Sequence, residues 1–116
     1  MKMETTERPW GNFCQFTLNE KCTVKVMTVK PNQRLSLQYH NGRDEKWYFL
    51  TDATMQLGKK MFDVKAGEEI RIDRKTPHRL MSKGGEVKVL EISLGTFDED
   101  DLVRMEDDYG RIEKKD

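Results

Sequence analysis

The sequence predicts an all-β fold, a small sandwich or barrel of about eight or nine short strands. Apolar and polar residues alternate in short runs, as they do in strands with one buried face. Turn residues separate these runs at close intervals, and almost no segment has helical periodicity. A chain of 116 residues has the usual length of one domain, so we expect residues 1–116 to form a single domain.

The predicted strands follow one another along the chain with short connections between them. They cover residues 24–29, 35–40, 47–51, 54–57, 61–64, 69–73, 78–81 and 87–94. The first strand ends before Pro31, whose nitrogen has no proton to donate to a sheet. A tight turn that begins at Gly58 joins the fourth strand to the fifth. The tail, residues 98–105, is expected to form a short helix or an ordered loop.

The charge balance excludes two classes of partner. Lys plus Arg and Asp plus Glu both number 21, so no excess of positive charge attracts nucleic acid or anionic lipid. No segment approaches the roughly 20 consecutive apolar residues of a membrane span, and the first residues lack the apolar run of a secretory signal. We therefore expect a cytoplasmic protein.

Four side chains with nitrogen or oxygen donors are candidates for one cluster. Gln38 and His40 leave the same face of a predicted strand, because they are two positions apart. Glu45 follows across the next loop, and His78 is expected to arrive from a strand packed opposite. Such a set is a candidate metal site. Residue types alone leave open the alternative that both histidines are hydrogen-bonded parts of the barrel.

Four motifs occur along the chain: RPWG at residues 8–11, RLSLQYH at 34–40, PHRL at 77–80 and EDDYGR at 106–111. In content, order and spacing they resemble the type II mannose-6-phosphate isomerase domain. That domain is the carboxy-terminal part of bifunctional mannose-6-phosphate isomerase/mannose-1-phosphate guanylyltransferases. The combination of the two end motifs, RPWG and EDDYGR, is the specific part of the resemblance.

The resemblance implies a cupin fold, which is a double-stranded β-helix or jelly-roll barrel. It also implies a divalent metal inside the barrel, usually zinc, with the candidate ligands Gln38, His40, Glu45 and His78. The implied reaction interconverts mannose 6-phosphate and fructose 6-phosphate. In this aldose–ketose isomerisation a base moves a proton between neighbouring carbons through a cis-enediol, and a cation stabilises the developing oxyanion.

The resemblance also suggests roles for residues outside the metal cluster. Lys46 and Glu106 are candidates for acid–base catalysis, and Arg111 is a third candidate catalytic residue. Contacts to the sugar phosphate are expected from Arg104, Asp108, Tyr109 and Arg111. The alternative for the closing motif is that it packs over the barrel mouth through arginine–carboxylate pairs.

The chain departs from the family pattern at two positions of the first metal motif, where Gly42 and Lys46 replace histidines. A second hypothesis is therefore a non-catalytic cupin that has lost its metal site and still binds sugar phosphate. A third is a metal-free isomerase that uses His78 and Tyr109 for proton transfer. No GxGxR-type nucleotide loop occurs in the 116 residues, so any activity is expected on the isomerase side.

The expected partners are a small-molecule sugar phosphate and a second copy of the chain. We expect a homodimer by analogy with other cupins of this size, because dimerisation would also protect exposed sheet edges. Trp10 is expected either at the bottom of the barrel or in the dimer interface.

Overall fold

The computed structural model describes residues 4–111, which form strands and loops without a helix. The strands are β1 (Glu4–Arg8), β2 (Gly11–Gln15), β3 (Cys22–Val29), β4 (Leu37–Tyr39), β5 (Glu45–Phe49), β6 (Ala53–Leu57), β7 (Lys60–Val64), β8 (Glu69–Ile72), β9 (His78–Met81), β10 (Val87–Leu94) and β11 (Val103–Glu106). The prediction of an all-β fold is confirmed. The described residues include no helix with the length and apolar character needed to span a bilayer.

Two sheets make up the body of the molecule, and a separate hairpin precedes them. The first sheet has the strand order β3-β10-β5-β8, and the second has the order β11-β4-β9-β6-β7. The hairpin strands β1 and β2 pair with each other. The chain crosses between the two sheets repeatedly, for example from β4 to β5 and from β9 to β10. This connectivity is typical of a jelly roll.

The inward-facing side chains divide the interior into an apolar end and a polar end. Along β10, the register with β3 and β5 turns Val87, Val89, Glu91 and Ser93 to one face. The first two belong to the apolar core, whereas the last two are buried polar residues. The buried core cluster consists of Val29, Trp47, Phe49, Met55, Val64, Ile72, Leu80, Val87 and Val89. Buried polar groups therefore concentrate at the Ser93 end of β10.

All the predicted strands are present, and their ends differ from the prediction by at most two residues. The hairpin of β1 and β2 was not predicted, because most of its side chains are exposed and give no apolar alternation. Trp10 lies in its turn with 73% of its surface exposed, so the placement of Trp10 at the barrel bottom is wrong. The alternative placement, in a dimer interface, stays a prediction.

Of the two alternatives predicted for the carboxy-terminal tail, one is observed and one is not. Residues 98–102 form an ordered loop, as expected, but the helical alternative is wrong because Val103–Glu106 is strand β11. This strand pairs with β4, where Arg104 lies opposite Gln38. The pairing satisfies backbone groups on the edge of β4, which a helix in the tail would leave without partners.

The turn between β6 and β7 provides a test of the fold. Gly58 has a φ of +63° at the first position of this two-residue loop, where a type II′ turn requires glycine. We expect Gly58→Ala to lower the free energy of unfolding by about 1–2 kcal/mol, because a Cβ disfavours this conformation. Urea denaturation measures the change. Gly85→Ala is the matched control, since Gly85 lacks a positive φ and has open space around its Cα, and an equal loss in both variants would contradict the assignment.

Candidate metal site and cavity

Two histidines present the same ring nitrogen to the polar end of the interior. His40 Nδ1 lies 2.7 Å from the carbonyl oxygen of Asp101, and His78 Nδ1 lies 2.9 Å from that of Thr76. A carbonyl oxygen only accepts hydrogen bonds, so Nδ1 carries the proton in both rings. In a neutral ring of this tautomer the Nε2 atom carries the lone pair, which is the state in which histidine binds a metal.

Glu45 lies between these two nitrogens. Its Oε2 atom is 3.6 Å from His40 Nε2, and its Oε1 atom is 3.7 Å from His78 Nε2. The potential ligand atoms of the three residues lie within 4.8 Å of one another, and all three side chains are buried. Ligands of a tetrahedral zinc ion are separated by about 3.4 Å, given metal–ligand distances near 2.1 Å. The donor set and its spacing fit a divalent metal.

His78 has the character of a ligand held ready for a cation. Its Nε2 atom is buried and has no hydrogen-bond partner among the described residues. Burial lowers the pKa of His78, while its bond to Thr76 and the charge of Glu45 oppose that change. The ring also packs edge-on against Trp47, with centroids 5.4 Å apart. Neutral His78 is therefore fixed in orientation with one unused lone pair.

Arg43 is a cation already present beside the cluster. Its Nε atom donates to Glu45 Oε2 at 2.9 Å, and its Nη2 atom lies 3.4 Å from His40 Nε2. Its Nη1 atom donates to the carbonyl oxygen of Asp98 at 3.0 Å. The guanidinium compensates the buried charge of Glu45, which would otherwise be strongly destabilising.

Asp101 holds the loop that follows β4. Its carboxylate accepts hydrogen bonds from the amides of Asn41 and Gly42, at 2.8 and 2.9 Å, while its carbonyl orients His40. Although partial burial raises it, these amide bonds and the charge of Arg43 bring the pKa of Asp101 below its usual range. A Cβ on Gly42 would lie 3.1 Å from Asp101 Oδ2, so the carboxylate occupies the space beside this glycine.

A cavity of about 480 Å³ opens beside His40. Its lining is mostly polar and carries charges of both signs, which suits a small hydrophilic ligand. The residues that line it are Lys25, Met27, Leu35, Ser36, Gln38, His40, Arg43, Glu91, Phe97, Glu99, Asp100, Leu102, Arg104 and Arg111.

Glu91 is a buried carboxyl group in the wall of this cavity. Burial, and then the negative charge of Glu45, raises the pKa of Glu91 to about 7. Ser93 connects the two carboxyl groups, since its Oγ atom lies 3.3 Å from Glu45 Oε2 and from Glu91 Oε1. A carboxyl group with a pKa near neutrality can both accept and release a proton.

The structure brings together three of the four residues predicted as metal ligands. His40, Glu45 and His78 form the cluster. Gln38 lines the adjoining cavity, where its Oε1 atom accepts a hydrogen bond from Ser36 at 2.6 Å. Lys46 is not brought to the cluster, because strand alternation turns it to the opposite face of β5 from Glu45.

The residues predicted from the closing motif separate into two groups. Arg104 and Arg111 line the cavity, whereas Glu106, Asp108 and Tyr109 do not. Lys46 is buried, and its Nζ atom donates to the carbonyl oxygen of Phe16 at 2.8 Å. The tail is tied to the body and to itself by the pairs Arg79–Glu106, Arg34–Asp108, Tyr109–Gln33 and Arg111–Asp107.

Sequence reasoning overlooked four residues of the site: Lys25, Arg43, Glu91 and Asp101. Strand alternation could have identified Glu91, because Glu91 shares the inward face of β10 with two valines of the core. A carboxylate in the inward row of a strand is unusual enough to mark a site. Asp101 had no such signal, since its role depends on the folded loop.

Fold and site together define the class of protein. The described residues form a jelly-roll barrel with a His-Glu-His cluster at its polar end. A double-stranded β-helix protein from Klebsiella pneumoniae has a similar structure, with a TM-score of 0.59 and 18% identity, over 68% of this chain and 70% of that one. The chain therefore has the cupin fold.

The sequence comparison identifies the family within this class. The family model of the mannose-6-phosphate isomerase C-terminal domain matches residues 1–107. The chain belongs to this family, so the resemblance seen in the sequence is confirmed.

Curated relatives support the same assignment. The chain is 36% identical over 107 residues to the alginate biosynthesis protein AlgA of Pseudomonas aeruginosa, covering 90% of the chain and 22% of that protein. It is 34% identical over 108 residues to the mannose-1-phosphate guanylyltransferase ManC of Salmonella typhimurium, again covering 90% of the chain and 22% of that protein. The chain thus spans less than a quarter of the length of these relatives.

The raised pKa of Glu91 predicts a specific pH dependence of stability. The pKa of Glu91 is about 7 in the folded protein against 4.5 for an ordinary glutamate, so between these pH values the folded state binds more protons than the unfolded state. The free energy of unfolding therefore falls as the pH rises through this window. Since one pKa unit corresponds to about 1.4 kcal/mol, Glu91→Gln should stabilise the metal-free protein by roughly 2–3 kcal/mol at about pH 8 and leave it nearly unchanged at about pH 4.

Urea denaturation of chelator-treated protein across this pH range measures the effect. Glu20→Gln removes the same charge from an exposed position and controls for net charge. A gain in stability that is independent of pH, or equal in both variants, would contradict the shift.

Proposed function

We propose that this domain catalyses the interconversion of mannose 6-phosphate and fructose 6-phosphate in the cavity beside His40, with a divalent metal, zinc, as cofactor. One observation carries the proposal: the Nε2 atoms of His40 and His78 both face Glu45, and backbone carbonyls fix both rings. Membership of the mannose-6-phosphate isomerase family supports it, as do the charges of both signs in the cavity.

The metal is assigned to His40, Glu45 and His78. The orphaned lone pair of His78 and the carboxylate between two imidazoles suit a borderline cation such as Zn²⁺. When bound, such an ion polarises a carbonyl oxygen and stabilises the negative charge that develops on it. Trp47 fixes the Glu45 carboxylate by donating from Nε1 to Oε1 at 3.2 Å.

Glu91 is the proton-transfer residue of this proposal. It lines the cavity, is buried, and has a pKa of about 7. It takes the proton from C2 of the aldose while the carbonyl oxygen O1 gains a proton, which gives the cis-enediol. It then returns the proton to C1 while the hydroxyl group on C2 loses its proton, which yields the ketose. Lys46 does not take this role because it lies on the other face of β5, and Glu106 does not because it is paired with Arg79 outside the cavity.

A second candidate function is sugar-phosphate binding without catalysis. The position of Arg43 favours it, since this guanidinium contacts both Glu45 and His40 and supplies positive charge to the cluster without a metal. Glycine at position 42 also contributes no ligand atom. In this reading Arg43 permanently neutralises Glu45, and the cavity only binds its ligand.

Metal content and turnover distinguish the two functions. For the isomerase we expect about one divalent ion per chain by elemental analysis, and turnover of mannose 6-phosphate in a coupled assay. His78→Gln and Glu45→Gln should lower metal content and turnover by at least tenfold, because each removes a ligand. Glu91→Gln should retain the metal and lose turnover at least a hundredfold, the usual range for a general base.

Glu69→Gln is the matched control, since Glu69 is a partly buried carboxylate on the opposite face of the same sheet. It should alter neither quantity. Metal-free protein that binds mannose 6-phosphate without turnover would reject the isomerase in favour of the binding function.

We also propose that the domain forms a homodimer through the outer face of the β3-β10-β5-β8 sheet. Val24 and Val26 on this face are 55% and 56% exposed, and the partly buried Leu90 lies beside Val26 on β10. A second copy is a suitable cover, because the formal net charge of +0 gives no repulsion between copies.

Light scattering tests the dimer. The native protein should have twice the mass of one chain, and Val24→Lys should shift it to the monomer because a charge cannot be buried unpaired. Met61→Lys introduces the same charge at an exposed apolar position on β7 and should leave the dimer intact. A monomeric native protein would overturn the proposal.

A further inference from the structure

Four cationic side chains line the cavity beside His40, and among the described residues only two of them are paired with a carboxylate. Its cationic side chains are Lys25, Arg43, Arg104 and Arg111. Arg43 is bound to Glu45 at 2.9 Å. Arg111 is bound to Asp107 through two nitrogens, at 2.8 and 3.1 Å. These two guanidinium groups already have carboxylate partners.

Lys25 differs from them. It shares the inward face of the first sheet with Glu91, its cross-strand partner, and lines the cavity. Within residues 4–111 its ammonium group makes no ion pair and no hydrogen bond. It lies over the ring of Phe97, 4.1 Å from the ring centroid. A cation–π contact of this kind contributes only about 0.5–2 kcal/mol, so a phosphate can replace it.

Arg104 is the second cation of the cavity that has no ion-pair partner between residues 4 and 111. It lies on β11 in the opposing sheet, paired across strands with Gln38, and lines the same cavity. Its Nε atom is buried and has no hydrogen-bond partner among the described residues. A buried N–H without an acceptor costs about 1–3 kcal/mol, and more on a charged group, so an anion that accepts this bond would be bound strongly.

We propose that Lys25 and Arg104 form the anion-binding subsite of the cavity and hold the phosphate group of a singly phosphorylated polyhydroxy ligand. The inference deepens the proposed function and rests on it for the sugar part of the ligand. It assigns the phosphate to these two cations rather than to Arg111, whose donors are engaged by Asp107.

The acidic side chains of the cavity define the rest of the ligand. Glu91, Glu99 and Asp100 also line the cavity, and among the described residues none of them lies within 4.0 Å of a Lys25 or Arg104 nitrogen. Carboxylates accept hydrogen bonds from hydroxyl groups and repel a second phosphate. The subsite is therefore suited to a monophosphate with several hydroxyl groups and disfavours a bisphosphate.

Calorimetric titration of the full chain with inorganic phosphate, mannose 6-phosphate and mannose tests the subsite. Lys25→Met and Arg104→Gln should each weaken the binding of phosphate and of mannose 6-phosphate about tenfold or more, and leave the binding of mannose unchanged. Arg104→Lys, which keeps the charge and perturbs β11 less, should have intermediate affinity. Lys88→Met is the matched control, because Lys88 is exposed on β10, outside the cavity.

The outcomes separate this inference from the proposed function. Unchanged phosphate affinity in both variants, or an equal loss in Lys88→Met, would overturn the subsite. A loss of phosphate affinity that occurs only in Arg111→Gln would also overturn the subsite. If Lys25→Met and Arg104→Gln both turn over mannose 6-phosphate with an unchanged KM, the subsite is rejected and the isomerase function is retained. Loss of phosphate binding in the variants of a protein without turnover would support the subsite and reject the isomerase.

Discussion

The buried carboxylate of Glu45 is the constraint on which the rest of the site depends. With 1% of its surface exposed, it needs compensation from every side. Arg43, Trp47 and Ser93 donate hydrogen bonds to it, and two imidazoles face it. The polar end of the barrel largely consists of the groups that a single buried negative charge requires. The same groups bring the carboxylate and the Nε2 atoms of two imidazoles close together.

Much of the fold could be predicted from the sequence, because strand alternation reports which face of each strand is buried. Parity alone predicted that Gln38 and His40 leave the same face. Both line the cavity, although β4 ends at Tyr39, one residue before His40. Strand alternation also places Lys46 and Glu45 on opposite faces. This follows once Glu45 is recognised as the first residue of β5 rather than as part of a loop. The hairpin of β1 and β2 left no such signal, since its side chains are exposed on both faces.

The parts of the site that could not be predicted depend on long-range contacts. Asp101 orients His40 from 61 positions away in the chain, and Arg43 reaches the carbonyl of Asp98 across 55 positions. No local pattern specifies such contacts. The stretch after Gly95 was predicted only as a short helix or an ordered loop, whereas its backbone carbonyls and one carboxylate hold the loop that carries Arg43. Its function lies in the acceptors it places, more than in its net charge.

Asp101 has a consequence for the dynamics of the protein. Phe97, Glu99, Asp100 and Leu102 of its loop form part of the cavity wall, while its own carbonyl fixes the His40 ring. Widening the entrance by moving this loop must therefore release the imidazole. If a cation binds this cluster, its affinity and that of a cavity ligand would be thermodynamically linked in both directions. A bound ion would disfavour movement of the loop, and a ligand that stabilises the loop would raise the affinity for the ion.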